Sequence, residues 1–275
     1  MRLTALLTIA TLVPSIGSAQ APSRGVVLLA TTTSLYDTGL LDSLGPAFER
    51  ATGYHLRVVA VGSGQALRMG ERGDADVLLV HSPASEEAFV RAGNAGRRFV
   101  VASNYFTIVG PADDPASVRD APTAAEAMRR MAAAHAVFVS RGDSSGTHQR
   151  ELLLWREAGG RPAWPGYLES GQGMSMTLLI AEERRGYTLT DRATYGSLRS
   201  RVSLVPMRER EPALLNVYHV IEVNPAGRPR VNTAGARAFA DWMISEQVQD
   251  LLGRFGESRF GEPLFVPARG REPQP

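Results

Sequence analysis

Three times in its first ninety residues the chain runs a short apolar stretch through a turn into apolar residues at helical spacing. Val26-Val27-Leu28-Leu29-Ala30 passes through Thr31–Ser34 to Leu40, Leu41, Leu44 and Phe48, and Gly53 closes the helix. Leu56–Val61 passes through Gly62-Ser63-Gly64 to Ala66, Leu67 and Met69, closed by Gly73, and Asp76–Val80 leads to a helix opened by Pro83. Short unbroken apolar runs mark strands buried on both faces. Their alternation with helices predicts an α/β fold, a mostly parallel sheet flanked by helices. Ligands in such sheets sit beyond the carboxyl ends of the strands, at the turns that enter helices. Thr31–Ser34 and Gly62–Gln65 both fall at that edge.

Two longer strand-like runs, Phe99–Gly110 (broken at Ser103-Asn104) and Leu215–Val223, bracket a middle block. That block holds a helix opened by Pro122, a strand Ala136–Val139, helices through Leu154 and over Met176–Glu183, a strand Tyr187–Leu189, a cap at Asp191 and a strand Val202–Val205. Asn232 caps a helix through Phe239 and Met243, and another covers Glu246–Phe255. The simplest topology is a first lobe of residues 24–104 plus 222–268 with a second lobe, 105–221, inserted. The two long strands then form a hinge and the ligand occupies the cleft. A scattering profile unchanged by ligand would count against that motion. Residues 1–21 read as a signal peptide: Arg2, the apolar Leu3–Val13, and cleavage after Ala19 or Ala21, a run too short to span a bilayer. Export to the periplasm is expected. Residues 269–275, rich in Arg, Gly and Pro, read as a disordered tail.

The chain has no cysteine, which excludes disulfides, thiolate metal sites, a thiol nucleophile and a lipid-anchored N-terminal Cys. Its thirty basic residues are all arginine, interleaved with acids to a net charge of +2. No basic stripe suggests a nucleic-acid partner. The five histidines and the pair Asp74/Asp76 lack metal-ligand spacing, and no cofactor motif is present. A monomer without cofactor or metal cation is expected.

Ser140–His148 is the densest polar stretch, entered from an apolar strand and left by an amphipathic helix. It gathers Arg141, the hydroxyls of Ser144, Ser145 and Thr147, and backbone N–H groups at a helix N-terminus. Those N–H groups lack partners within the helix and carry the positive end of its dipole. An oxyanion satisfies both, so this turn, with Thr31–Ser34 and Gly62–Gln65, is a candidate anion site. The Arg141 fork suits two parallel bonds to an oxyanion. The competing reading pairs it structurally with Asp143 or Glu151. Ser145, His148 and Asp143 also raise a catalytic triad, which spacing this tight on one turn rarely orients. The G-x-S-x-G elbow is absent as well.

These residues together resemble the substrate-binding proteins of ABC-type tungstate transporters, type II periplasmic binding proteins. The resemblance rests on Thr31-Thr32-Thr33-Ser34 with Asp37–Leu41, Ala60–Leu67, Gly73–His81, Ser140–His148, Tyr187–Arg192 and Tyr218–Pro225, in that order. It implies a two-lobed fold with two hinge strands and a non-enzymatic periplasmic receptor that delivers tungstate, as an oxyanion, to an ABC permease at the inner membrane. It assigns the anion site to Thr32, Thr33, Ser34, Arg141, Ser145 and Thr147, with Gly146 between the last two. Ser63 stands where the family often has Thr, and Ser175 replaces a usual Gly. Tungstate and molybdate are fully deprotonated at neutral pH and want donors only, whereas phosphate keeps a proton and wants an acceptor too. Asp143 leaves that second pattern open. The alternatives are a molybdate, sulfate or phosphate receptor, and a periplasmic hydrolase using Ser145 and His148.

Overall fold

The computed structural model describes residues 24–161 and 163–271; the signal-peptide expectation for residues 1–21 and the tail expectation for residues 272–275 lie outside them. Strand β1 (Val26–Thr32) sends Val27 and Leu29 into one apolar cluster and Ala30 into another on the opposite face. That period-two alternation belongs to a strand covered on both sides. It is followed by α1 (Thr33–Asp37), α2 (Leu40–Thr52), β2 (His55–Val61), α3 (Ser63–Arg72), β3 (Val77–Val80) and α4 (Pro83–Arg91). Both β2 and β3 pair with β1 in parallel, Thr32 facing Val61 and Thr31 facing Leu79. The turns that open α1, α3 and α4 therefore share one edge.

The long strand β4 (Ala95–Gly110) comes next, then α5 (Ala124–Ala133), β5 (Phe138–Ser140), α6 (Gly146–Glu157), β6 (Tyr167–Glu169) and α7 (Met174–Glu183). After these come β7 (Thr188–Asp191), α8 (Arg192–Leu198), β8 (Val205–Arg208) and β9 (Leu215–Val223). The last elements among the described residues are α9 (Thr233–Met243), α10 (Glu246–Arg254), α11 (Glu257–Phe260) and β10 (Val266–Pro267). From Ala95 to Tyr105, β4 pairs antiparallel with β9; from Phe106 to Gly110 it pairs with β7 and β8. The main path runs β10-β4-β9-β3-β1-β2. Parallel pairs are β1–β2, β1–β3 and β5–β6, and each antiparallel pair involves β4 or β9. This is the α/β arrangement expected from the alternation, with antiparallel pairing where the two long strands run.

Two apolar clusters surround the β1–β3 sheet, one centred on Phe48 against Phe239 (ring centroids 5.2 Å). Two more lie around the far end of β4, with Trp155 edge-on to Phe138 at 5.7 Å. The sequence suggested a break in the first long run at Ser103-Asn104. The ladder instead continues, because Asn104 faces Asn216 across the strands and accepts a 2.8 Å bond from its amide. Strand β8 starts at Val205 rather than Val202 and takes in Pro206, which pairs with Val109. The tail expectation is corrected for residues 269–271. Gly270 N donates to Val100 O at 3.0 Å, and Arg269 N to the Gln249 side chain at 2.6 Å.

Candidate anion-binding site

Four helix starts meet at one place, and each is set by a short polar turn. Thr32, in extended conformation, caps α1 by accepting from Leu35 N at 3.3 Å. Gly62 and Gly173 open α3 and α7 with no side-chain cap, leaving their first N–H groups unsatisfied by a cap. Ser145 caps α6 through His148 N at 3.3 Å. The turns pack tightly. A Cβ placed on Gly62 would lie 3.9 Å from Ser145 Cα, one on Gly64 3.5 Å from Ser144 O, and one on Gly173 3.7 Å from Thr33 Oγ1. These are ordinary van der Waals separations, so the turns are in contact and a methyl at any of the three positions would touch its neighbour without displacing it.

The three starts from α1, α3 and α6 each contribute one hydroxyl at the first or second helical position. These are Thr33 Oγ1, Ser63 Oγ and Thr147 Oγ1, all buried and all without a hydrogen-bond partner in the protein. A buried polar atom left unpaired costs about 1–3 kcal/mol, so three together at one site call for a ligand that accepts hydrogen bonds.

Arg141 is 4% exposed and lies under the same turns. Its Nε donates to Gln172 O at 3.2 Å, and its Nη2 to Asp143 Oδ2. Asp143 Oδ1 accepts from Ser145 N at 3.1 Å, so this carboxylate both holds the cation and shapes the turn. The structural pairing considered for Arg141 is thus with Asp143 and not Glu151. It leaves further donors, since a guanidinium carries five N–H groups. The turn passes through left-handed backbone at Gly142 (φ 62°) and Ser144 (φ 60°), a conformation a serine rarely adopts. Beneath it, Ser140 Oγ donates to Glu151 Oε2 at 2.7 Å, while Tyr167 Oη and Trp155 Nε1 donate to Oε1. Burial pushes the Glu151 carboxyl above the usual carboxylate range.

No triad forms. His148 Nδ1 accepts from Ser144 N at 3.0 Å, and Asp143 is held by Arg141 and Ser145 N, so nothing orients a base toward Ser145. Ser34, expected to face the ligand, lies 3.2 Å from both Thr32 Oγ1 and His81 Nε2. The structure therefore gathers all the expected residues but divides them. The hydroxyls of Thr33, Ser63 and Thr147 have no partner and Arg141 has donors to spare. Thr32 and Ser145 accept the capping N–H groups and keep their own hydroxyl protons, Ser34 lies against Thr32 and His81, and Gly146 packs on His81. Ser175, in the place of a usual Gly, donates through its hydroxyl to Asp37 Oδ2 at 2.7 Å, joining α7 to α1. The sequence reading missed His81, Asn216 and Gln149. Gln149 Oε1 accepts from Ser82 Oγ at 2.5 Å and Ser85 Oγ at 2.8 Å, tying α6 to α4. The one available signal was His81 itself, a polar residue at the carboxyl end of a buried strand.

Opposite signs of stability and binding test the three hydroxyls. Thr33→Val, Ser63→Ala and Thr147→Val each remove an unpaired buried group, so the ligand-free protein keeps or gains thermal stability. Each loses one bond to an ionic ligand, about 1.5–3 kcal/mol or roughly 10- to 150-fold in anion affinity. Calorimetry beside thermal melts checks both, and unchanged affinity in all three would remove the hydroxyls from the site.

The profile of the PBP superfamily domain matches residues 17–247. The chain is 46% identical over 247 residues to the tungstate-binding protein TupA of Peptoclostridium acidaminophilum, covering 89% of this chain and 86% of that one. It is 39% identical to TupA of Campylobacter jejuni subsp. jejuni, covering 84% and 86%. The solved tungstate-binding protein TupA from Desulfovibrio alaskensis G20 superposes with a TM-score of 0.74 at 46% identity, covering 90% of this chain and 99% of that one. The chain belongs to the PBP superfamily and, within it, to the family of the tungstate-binding proteins.

Proposed function

We propose that the protein is a periplasmic receptor, not an enzyme, that captures tungstate as a tetrahedral oxyanion between two lobes and delivers it to an ABC permease. The observation that carries this reading is the set of three buried, unpaired hydroxyls on three converging helix starts. They offer donors and no fixed negative charge. Asp143, the one carboxylate in the turn, has its oxygens occupied by Arg141 and Ser145 N, which supports a fully deprotonated anion over phosphate. With Arg141 offset by Asp143, the charge of a dianion must be met by hydroxyl, guanidinium and helix N-terminal dipoles. Three hydroxyl bonds and two from the guanidinium supply about 7–15 kcal/mol before association and ordering costs. Nanomolar binding corresponds to about −12 kcal/mol, so closure that excludes water is needed.

The lobes we propose are residues 24–104 plus 222–268 and residues 105–221, with β4 and β9 as the hinge. The bonds Ser175–Asp37 and Gln149–Ser82/Ser85 cross between them and support a closing arrangement. The names of the relatives favour tungstate; molybdate, with the same charge and nearly the same size, is the second reading. Thermal melts of the mature chain with tungstate, molybdate, sulfate and phosphate test the proposal. Ligand at ~1,000 times Kd stabilises by about 4 kcal/mol, or about 8–16 °C for a chain of this size. The largest shift is expected with tungstate. No shift with any of the four overturns the receptor reading, and a larger one with phosphate overturns the donor-only site.

A further inference from the structure

His81 ends β3 at the junction of the site and both long strands, and it is 3% exposed. Its Nδ1 lies 3.0 Å from Asn216 Oδ1 on β9. The Asn216 amide is oriented by donating to Asn104 Oδ1 on β4 at 2.8 Å and to Tyr218 Oη at 2.9 Å. Nδ1 therefore carries the proton in the neutral ring, and Nε2 presents a lone pair to Ser34 Oγ at 3.2 Å. Ser34 has one hydroxyl proton and two acceptors within reach, His81 Nε2 and Thr32 Oγ1. While neutral, His81 Nε2 competes with an anion for the single Ser34 proton.

We propose that His81 is a positioning residue that couples anion capture to the uptake of one proton, reversing its bond to Ser34 and releasing the Ser34 hydroxyl to the anion. The proposal rests on the anion-binding reading above and extends it to the ligand's charge. With Arg141 paired to Asp143, the described side chains of the turn bring no net formal charge to meet a dianion. A proton on Nε2 adds one positive charge a single hydrogen bond from Ser34, while Nδ1–H keeps its partner. No atom has to move far.

The surroundings act in both directions. Burial holds the imidazole below its ordinary value, and the Arg141 cation acts in the same direction. Asp191, which caps α8, and Glu86 on α4, paired to Arg98 and His219, oppose them, as does the Asn216 bond. Tyr218, packed on the ring at 4.8 Å, is held neutral by burial, and Phe106 and the α6 start at Gly146 complete the enclosure. An arriving dianion adds to the side of the two carboxylates. His148 is the other histidine at the site, but protonation there would break the bond it accepts from Ser144 N.

Calorimetry of the wild-type protein with sodium tungstate at pH 7.5, in buffers of different ionisation enthalpy, reads the protons exchanged. Net uptake of up to one proton is expected, and affinity falls between pH 7 and 8.5 by at most about tenfold per pH unit. In His81→Gln the amide can donate permanently to Ser34 Oγ, so binding survives without proton uptake and loses its pH slope. His148→Gln keeps both. Nitrogen-15 spectra of wild-type His81 should show Nε2 changing from lone-pair-bearing to protonated on adding tungstate, a readout that does not depend on any variant folding. Tungstate bound with no proton exchange, uptake surviving in His81→Gln, or an unchanged Nε2 signal would each overturn the proposal and leave the receptor reading standing. No tungstate binding at all would overturn both.

Discussion

Replacing Arg141 by alanine is expected to weaken tungstate binding by roughly 10²- to 10⁴-fold. Two parallel charge-assisted bonds from one guanidinium contribute about 3–6 kcal/mol, and each 1.4 kcal/mol is tenfold. The loss is larger than a count of bonds implies, because Asp143 then faces the anion without its counter-charge. Leaving one partner of a buried pair alone is more damaging than removing both. The double variant Arg141→Ala/Asp143→Asn should therefore bind better than the single one, since the amide carbonyl introduced at position 143 can still accept from Ser145 N. Arg141→Lys should recover less than the double variant does, because an ammonium cannot reach Gln172 O, Asp143 and the ligand together. Calorimetry on all three, with circular dichroism to show the fold intact, decides the matter. Tight binding by Arg141→Ala would remove the cation from the site.

Gly146→Ala has the second largest expected effect, through closure rather than through a ligand contact. A Cβ at Gly146 would lie 2.8 Å from His81 O and 3.1 Å from His81 Nδ1, and the first of these is backbone that cannot rotate away. The start of α6 must then stand off from the end of β3 by a few tenths of an ångström. Such overpacking costs about 1–3 kcal/mol. The rest of α6 keeps its anchors, Leu154 and Trp155, so the fold should persist. The expected outcome is a loss of roughly 5- to 150-fold in affinity, and a contraction on adding tungstate, by small-angle scattering, that is smaller than in the wild type. Wild-type affinity in this variant would mean that α6 and β3 need not approach for capture.

The first half of the fold was legible because β1 and β3 are covered on both faces and write themselves as continuous apolar runs, while β2, half-buried at the sheet edge, still carries Val58–Val61. The crossing strand β9 was legible for the same reason. The five-residue α1 was not: Gly39, at φ 77°, separates it from α2, and five residues are too few to show a period. β6 hid in a Pro- and Gly-containing stretch because three residues become a strand only when β5 pairs with them. β8 was placed three residues early, as Pro206 argues against a strand until it is seen to pair with the end of β4. At the site, the chemistry was legible and the division of labour was not. Thr33 and Ser34 are neighbours with similar hydroxyls, yet one is unpaired and the other lies against His81. That difference arises from the turn of α1 and from a residue 47 positions away in sequence, which no local pattern carries.

One oxyanion is expected among the hydroxyls of Thr33, Ser63 and Thr147 and the Arg141 guanidinium. An anomalous difference map from crystals of the mature protein grown with tungstate locates the tungsten directly. A single strong peak is expected there, with the ligand oxygens about 2.6–3.2 Å from all three hydroxyls and from Arg141. A peak elsewhere, or one at this place with those hydroxyls turned away, would contradict it.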